Sequence, residues 1–426
     1  MEKLTALVMI AETVIKIVEL AMERWQQFQG VYVHTPFCVQ KCLYCDFPSY
    51  AGFSESVREE YVEALCREIA FYSEHRALPT DEKATVYFGG GTPTVLSAEQ
   101  IGKIVACLKK YGWWRQPAEA TIEANPGTVD VKKLQALREL GFDRISLGVQ
   151  SLQDNELRAL GRIHTAEQAL CVIREAKQAG FQRINVDLMS GIPLQTIESF
   201  RRTLDTILQL QLAHLSVYSL ILEEGTSLEK LVRTGQVQLP DEETSYLMYE
   251  MTTDVLAKAG LTRYEISNYA APGQESLHNK VYWRYEPYAA FGAGACSFTG
   301  TERRTNTVDV AAYICGWKHD TNINENLISN GCVLQHKGSA GIEDLYEAEP
   351  LDQPTQLEEA MIMGLRMTDG VSLNEMQKRF GVDILKYYKT EIQLLLDKKM
   401  AVCVDGTLRL TPYGMRYGNR AFEAFV

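Results

Sequence analysis

Short apolar runs alternate with longer amphipathic ones from Gln29 to about Glu223. The runs Gly30–His34, Thr85–Phe88, Ala120–Glu123, Arg144–Gly148, Asn185–Met189 and His214–Tyr218 are rich in β-branched and aromatic residues and predict strands. Between them, Ser56–Ser73, Ser97–Tyr111, Val129–Leu140 and Ile197–Gln211 place apolar residues at helical spacing. Strand then helix, repeated about six times, predicts an α/β fold with a parallel sheet and crossover helices. The count suits an open, partial (β/α)6 barrel better than a closed eight-fold one. After Glu224 a polar, helix-rich stretch leads to Tyr264–Phe298, which is dense in Tyr, Trp and Gly, and Ile323–Leu351 reads as an irregular linker. The helical patterns Leu357–Arg366, Ser372–Arg379 and Ile384–Lys398 precede a hairpin, Ala401–Val404 with Leu408–Leu410 across Asp405-Gly406. Three helices and a hairpin predict a small winged-helix-like α+β unit. The expected divisions are residues 1–28, a helical extension; 29–235, the partial barrel; 236–350, an accessory segment; and 351–426, the C-terminal unit.

The opening run Leu4–Ala11 is apolar, and Glu12, Lys16, Glu19, Glu23 and Arg24 follow it. It lacks a basic start and a small-residue cleavage site, so it reads as an amphipathic helix rather than a signal peptide. No later stretch reaches the ~18 uncharged apolar residues of a membrane span. A cytoplasmic protein is expected, with weak membrane association of the first helix left open. The 426 residues exceed what one core organises, so several units are expected. Fifty-five acidic against 43 basic residues give a net charge of -12, which disfavours phosphate-driven nucleic-acid binding. The winged-helix-like unit is therefore expected to dock or cover rather than to bind DNA.

Of ten cysteines, Cys66, Cys107, Cys171, Cys296, Cys315, Cys332 and Cys403 are scattered beside apolar neighbours and read as reduced core residues. The remaining three lie in His34-Thr35-Pro36-Phe37-Cys38-Val39-Gln40-Lys41-Cys42-Leu43-Tyr44-Cys45-Asp46-Phe47, just after the first predicted strand. Ligand-binding loops of parallel β/α folds sit at that place. Cys38, Cys42 and Cys45 on one tight loop can hold three corners of a cubane iron–sulfur cluster and leave the fourth iron open. A structural zinc site would need a fourth ligand, and no paired Cys/His cluster follows downstream. The triplet Gly89-Gly90-Gly91 before Thr92 follows the second strand and allows a ligand to approach backbone, although a plain tight turn explains a glycine triplet as well. Glu123 ends the third predicted strand and Gln150 the fourth, Arg162 lies in Leu160-Gly161-Arg162-Ile163-His164, and Asp187 sits within the fifth strand. Each taken singly is equally a satisfied polar group.

The Cys-x3-Cys-x2-Cys string with Tyr44 before its last cysteine resembles the signature of radical S-adenosylmethionine (SAM) proteins. That resemblance implies a 4Fe-4S cluster whose open iron takes the amino and carboxylate groups of S-adenosylmethionine. Tyr32, the loop Gly90-Gly91-Thr92, Glu123, Gln150, Arg162 and Asp187 resemble, in this order, the cofactor site of the oxygen-independent coproporphyrinogen III oxidase (HemN-like) group. Within that group, Phe47 stands where the dehydrogenase branch continues to a further Cys, and a phenylalanine cannot replace a thiol. The string His278-Asn279-Lys280-Val281-Tyr282-Trp283 is similar to the HNxxYW motif of the HemW-like heme chaperones. There the histidine is implicated in holding heme; the bland alternative is a His capping a turn beside two core aromatics. Cys296 stands where many members carry His, which makes it the candidate second axial ligand.

The implied function is a heme chaperone that binds heme and transfers it to an acceptor hemoprotein while carrying a 4Fe-4S cluster and S-adenosylmethionine. A reductant for the cluster is the further partner, and a homodimer is left open. The alternative is a coproporphyrinogen III dehydrogenase working by radical oxidative decarboxylation to protoporphyrinogen IX, and no catalytic residue is assigned. A cluster protein acting on an unrelated substrate stands third.

Overall fold

Alternation along the strands decides which side of the sheet meets the helices. In the computed structural model, which describes residues 25–318 and 345–426, six strands lie parallel in chain order: β1 (Phe28–Thr35), β2 (Thr80–Gly90), β3 (Ala120–Ala124), β4 (Arg144–Gln150), β5 (Arg183–Ser190) and β6 (His214–Ser219). Val31, Val33, Val86, Phe88, Ile122, Ile145, Leu147, Val186 and Leu188 are buried in one core with the flanking helices. The residues between them, among them Tyr32, Tyr87, Glu123, Arg144, Ser146 and Asp187, face the opposite, concave side because strand side chains alternate with a period of two. A nonpolar outer layer and a polar lumen follow from one pattern.

The crossover helices start where the sequence offers caps. Ser97 with Gln100, Thr165 with Gln168 and Thr196 with Ser199 close reciprocal capping boxes, and Ser54 and Asp130 accept a backbone N–H from the first turn. Two helices between β4 and β5, Asp154–Ala159 and Ala166–Gln178, were not among the predicted ones.

The parallel set is extended on both sides. Beyond β6 lie β8 (Asn268–Ala270) and then β7 (Thr262–Arg263), both antiparallel. Beyond β1 lies β9 (Tyr288–Phe291), which pairs parallel with it, followed by antiparallel β10 (Cys296–Phe298), β11 (Glu302–Asn306) and β12 (Tyr346–Pro350). The sheet stays open, with β12 and β7 at its edges. The partial barrel is thus observed, within a wider sheet than the strand–helix pattern announced. Residues 345–350 correct the irregular linker: Tyr346–Pro350 pairs with β11 over five residue pairs. The rest of that linker, like most of the N-terminal extension, lies outside the described residues.

The C-terminal unit has its own core, including Leu357, Met361, Met376, Ile392 and Leu408, and it takes in Tyr285 and Phe298 from the preceding segment. Its sheet, in the order β13 (Val371–Ser372), β15 (Thr407–Leu410), β14 (Ala401–Val404), packs with helices Gln353–Leu365, Leu373–Phe380 and Lys389–Asp397. The predicted hairpin forms, with φ of 51° at Asp405 and 72° at Gly406, as a two-residue turn of this hand requires. No described cysteine is in a disulfide. Cys171 and Cys403 are exposed, which corrects their reading as core residues, and Cys332 lies outside the described residues.

Candidate functional site

At the carboxyl ends of β1 to β5 the lumen opens into a cavity of about 470 Å³, a volume that suits one small-molecule ligand. The loop after β1 forms one wall. Backbone bonds hold it at both ends: Cys38 N donates to Tyr50 O (2.8 Å), Leu43 N to Leu160 O (3.0 Å) and Leu228 N to Leu43 O (2.8 Å). Leu43 also packs with Leu160, Met189, Ile192 and Leu228. An apolar anchor in the middle of the cysteine string therefore leaves the three thiols free to face the cavity.

Cys38, Cys42 and Cys45 all line that cavity. Cys38 Sγ lies 3.7 Å from Thr92 Oγ1, Cys45 Sγ lies 3.8 Å from Ser49 Oγ, and Arg162 Nη1 donates to Cys42 Sγ at 3.4 Å. Polar groups thus approach each sulfur, as the outer shell of a cluster does. Among the described residues no three His, Cys, Asp or Glu side chains stand close enough to share one ion. A cubane presents a separate iron to each thiol and needs no such convergence. The glycine loop fits against this wall. Gly90 has φ of 109° and a Cβ there would lie 2.7 Å from the His34 ring; a Cβ on Gly91 would lie 2.7 Å from Phe37 O and 3.1 Å from Cys38 Sγ. The donor set and the bare backbone beside it fit a cluster and a ligand pressed close to it.

Gly90, Gly91, Thr92, Glu123, Gln150, Arg162 and Asp187 line the same cavity. Gln150 follows a register shift at the end of β4 and has φ of 69°, which is costly for a residue with a Cβ. Arg162 is held by Asn125 Oδ1 (2.5 Å) and by the Gly148 carbonyl. Asn125 Nδ2 also donates to Thr92 Oγ1 (2.8 Å), so one amide ties the glycine loop to the arginine. Asp187 accepts from Ser146 Oγ (3.0 Å) and Asn185 Nδ2 (2.8 Å), and burial raises its pKa. Glu123 accepts from Tyr87 OH at 2.6 Å, and burial pushes its pKa up to about 7, with the Asp187 charge adding to the rise.

That value carries a pH prediction. The folded-state pKa lies above the ordinary 4.5, so Glu123 is mostly protonated below about 7 and ionising it costs the fold stability as pH climbs between the two values. Only the carboxylate can accept two hydroxyl hydrogen bonds at full strength. For S-adenosylmethionine as the expected ligand, affinity measured by calorimetry should rise as pH passes through about 7 and be flat in Glu123→Gln. An equal rise in that variant would assign the dependence elsewhere.

Tyr32 and His278 lie apart from the cavity wall. Tyr32 OH bonds His34 Nδ1 at 3.0 Å, and the Tyr32 ring stands over that of Tyr87. His278 starts the helix Leu277–Trp283, which fills the lower lumen, and it is fully buried. Its ring stacks on Tyr87 at 5.0 Å; Nδ1 lies 2.7 Å from Thr85 Oγ1 and Nε2 lies 2.8 Å from Tyr282 OH. Burial, and then the Arg144 charge, lowers its pKa to about 3, so the imidazole is neutral. Both ring nitrogens are engaged, and iron reaches Nε2 only if the Tyr282 hydroxyl gives way. The next residue, Asn279, lines the cavity. Trp283 receives the Arg366 guanidinium at 4.6 Å, which joins the motif to the C-terminal unit. Cys296 lies on β10 and accepts from Thr305 Oγ1 at 3.4 Å.

Three residues important to this site escaped the sequence reading. Asn125 bridges the upper wall; Arg144 lines the cavity; and Glu119, fully buried, accepts from Leu277 N (3.1 Å), His278 N (3.1 Å) and Ser276 Oγ (3.3 Å) while pairing with Arg183 at 2.6 Å. Period two along Arg144-Ile145-Ser146-Leu147-Gly148-Val149-Gln150 was the signal for Arg144, since it shares a face with Gln150.

Residues 32–207 match the Radical SAM superfamily and residues 351–417 the HemN C-terminal domain. The heme chaperone HemW of Lactococcus lactis subsp. lactis (strain IL1403) is 33% identical over 94% of this chain and 98% of its own length. That of Bacillus subtilis (strain 168) is 34% identical over 93% and 99%. Among solved structures, the coproporphyrinogen III oxidase HemN from Escherichia coli, a radical SAM enzyme, superposes with a TM-score of 0.77 at 20% identity, covering 96% of this chain and 92% of that one. Similarity at that identity speaks to the fold, and it spans both the partial barrel and the C-terminal unit.

Proposed function

The chain belongs to the heme chaperone HemW family, and on that premise we propose that it binds heme and hands it to an acceptor hemoprotein. The observation that carries the reading is the full HNxxYW string, His278 to Trp283, closing the bottom of the lumen whose mouth bears the three thiols. Phe47 adds to it: the position that bears a thiol in the dehydrogenase branch holds an exposed phenyl ring.

In this reading Cys38, Cys42 and Cys45 hold three irons of a 4Fe-4S cluster, which supplies an open iron and one-electron chemistry when bound. The backbone at Gly90 and Gly91 admits the methionyl group of S-adenosylmethionine, Arg162 pairs with its carboxylate, and Glu123 and Asp187 receive hydroxyl or ammonium donors. Gln150 and Thr92 complete the wall, and Tyr32 backs it through His34 and Tyr87. His278 takes heme iron through Nε2 once Tyr282 releases it; the neutral imidazole is the form that ligates iron. The acceptor hemoprotein and the reductant meet the full chain. Among the described residues no helix is long and apolar enough to cross a membrane, and the reading places the protein in the cytoplasm.

Anaerobically reconstituted protein titrated with heme is expected to show a stoichiometric Soret band that His278→Ala loses, together with transfer of heme to an apo-hemoprotein. Formation of protoporphyrinogen IX from coproporphyrinogen III at catalytic turnover would overturn the chaperone reading in favour of the dehydrogenase.

A further inference from the structure

Two guanidinium groups line the cavity, and the cofactor reading uses one of them, Arg162. Arg144 opens β4, is 3% exposed, and lines the cavity. Its contact with an opposite charge is Glu119 Oε2, 3.9 Å from Nε, which is too long for a hydrogen bond. Glu119 is also claimed more closely by Arg183 and by the backbone of Leu277 and His278. No described residue accepts a hydrogen bond from the Arg144 guanidinium. A guanidinium offers five donors, and leaving them unmatched away from bulk water is unfavourable. A buried cation whose free donors border a ligand cavity is built to receive an anion.

We propose that Arg144 is the receptor for a carboxylate arm that enters the lumen, and that the arm is a propionate of the heme taken up in the reading above. Depth separates this group from the methionyl carboxylate. Gln150, at the mouth, lies six residues along β4, about 20 Å at strand rise. S-adenosylmethionine has one carboxylate, and Arg162 beside Cys42 already faces it at the cluster end. A propionate is short, flexible and ended by the planar anion that a guanidinium binds in two-point fashion. Glu119 touches both Arg144 and the His278 amide, which puts the carboxylate receptor and the iron ligand on one floor. A macrocycle with its metal on His278 then turns its acidic edge toward Arg144. The inference rests on the heme reading and adds an anchor to it.

The test pairs ligands that differ only in the carboxylate. Heme and heme dimethyl ester are titrated by Soret absorbance, and S-adenosylmethionine and its decarboxylated analogue by calorimetry, into the reconstituted full chain. Wild type is expected to prefer heme over the diester by about tenfold or more, the scale of one charge-assisted pair. Arg144→Gln is expected to abolish that preference and Arg144→Lys to restore part of it, with the S-adenosylmethionine pair unmoved. If Arg144→Gln instead erases discrimination in the S-adenosylmethionine pair alone, the propionate assignment is overturned and the receptor belongs to the methionyl carboxylate. If neither pair responds in a variant that melts as wild type, Arg144 is only a counter-ion and the proposal fails. Should Arg144→Gln not fold, Arg144→Lys decides, since it keeps the charge but loses the fork: unchanged heme discrimination there overturns the proposal. Wild type that binds neither heme nor its diester refutes the chaperone reading itself and with it the propionate anchor; the S-adenosylmethionine pair then decides whether any carboxylate uses Arg144.

Discussion

Cys42→Ala is expected to leave a folded protein that takes up almost no iron or sulfide after anaerobic reconstitution, against about four of each in wild type. Two thiolates cannot hold a cubane against loss to solvent. The side chain has little to do with the fold: its hydrogen-bond contact is the Arg162 donor at 3.4 Å, while neighbouring Leu43 anchors the loop through Leu160 and Leu228. The melting temperature without cluster should therefore match that of unreconstituted wild type. Iron and sulfide assays read the result, and Cys66→Ala, at a site away from the cavity, serves as the control that keeps both. Iron retained in full by Cys42→Ala would end the assignment of the cysteine loop.

Glu119→Ala is expected to cost about 3–5 kcal/mol of stability, the scale of removing one partner from a buried ion pair. The carboxylate is fully buried, pairs with Arg183 at 2.6 Å, approaches Arg144, and accepts two backbone N–H groups from the first turn of the helix Leu277–Trp283. Its loss leaves Arg144 without an anion, leaves Arg183 with Asp143 and the Glu275 carbonyl, and removes the acceptor for two N–H groups at the start of that helix. Glu119→Gln keeps an acceptor and should lose less. Denaturant unfolding gives the stability, and hydrogen exchange should quicken at the Leu277 and His278 amides before the rest of the sheet. A loss under about 1 kcal/mol would mean that the floor is held by something else.

The parallel strands were legible because each is apolar on one face and because their helices carry caps at the expected places. The cysteine loop was legible from spacing alone, and the C-terminal hairpin from Asp405-Gly406, whose two left-handed residues suit few other structures. What could not be read depends on contacts distant in sequence. Glu119 meets His278 across 159 positions, and nothing near Glu119 marks it as different from a solvated acid. Strand β9 is four residues long, and its parallel pairing with β1 is set by the course of the chain between them. The His278 string was visible as a motif, but its burial was not: Thr85, Tyr87 and Tyr282 converge on the ring only when β2 and the helix meet. The segment Tyr346–Pro350 looked irregular because only its partner β11 gives it a reason to be straight.

The pairing of β1 with β9 also bears on how the molecule is made. Strand β1 leaves the ribosome first and gains one neighbour, β2, within a few dozen residues; its other neighbour begins at Tyr288. Until then the edge at Gly30–Val33 stands open beside the nascent cysteine loop, the kind of template on which other chains aggregate. Closing so wide a loop is slow. Chains truncated before Tyr288 should therefore be recovered as insoluble material rather than as a working half.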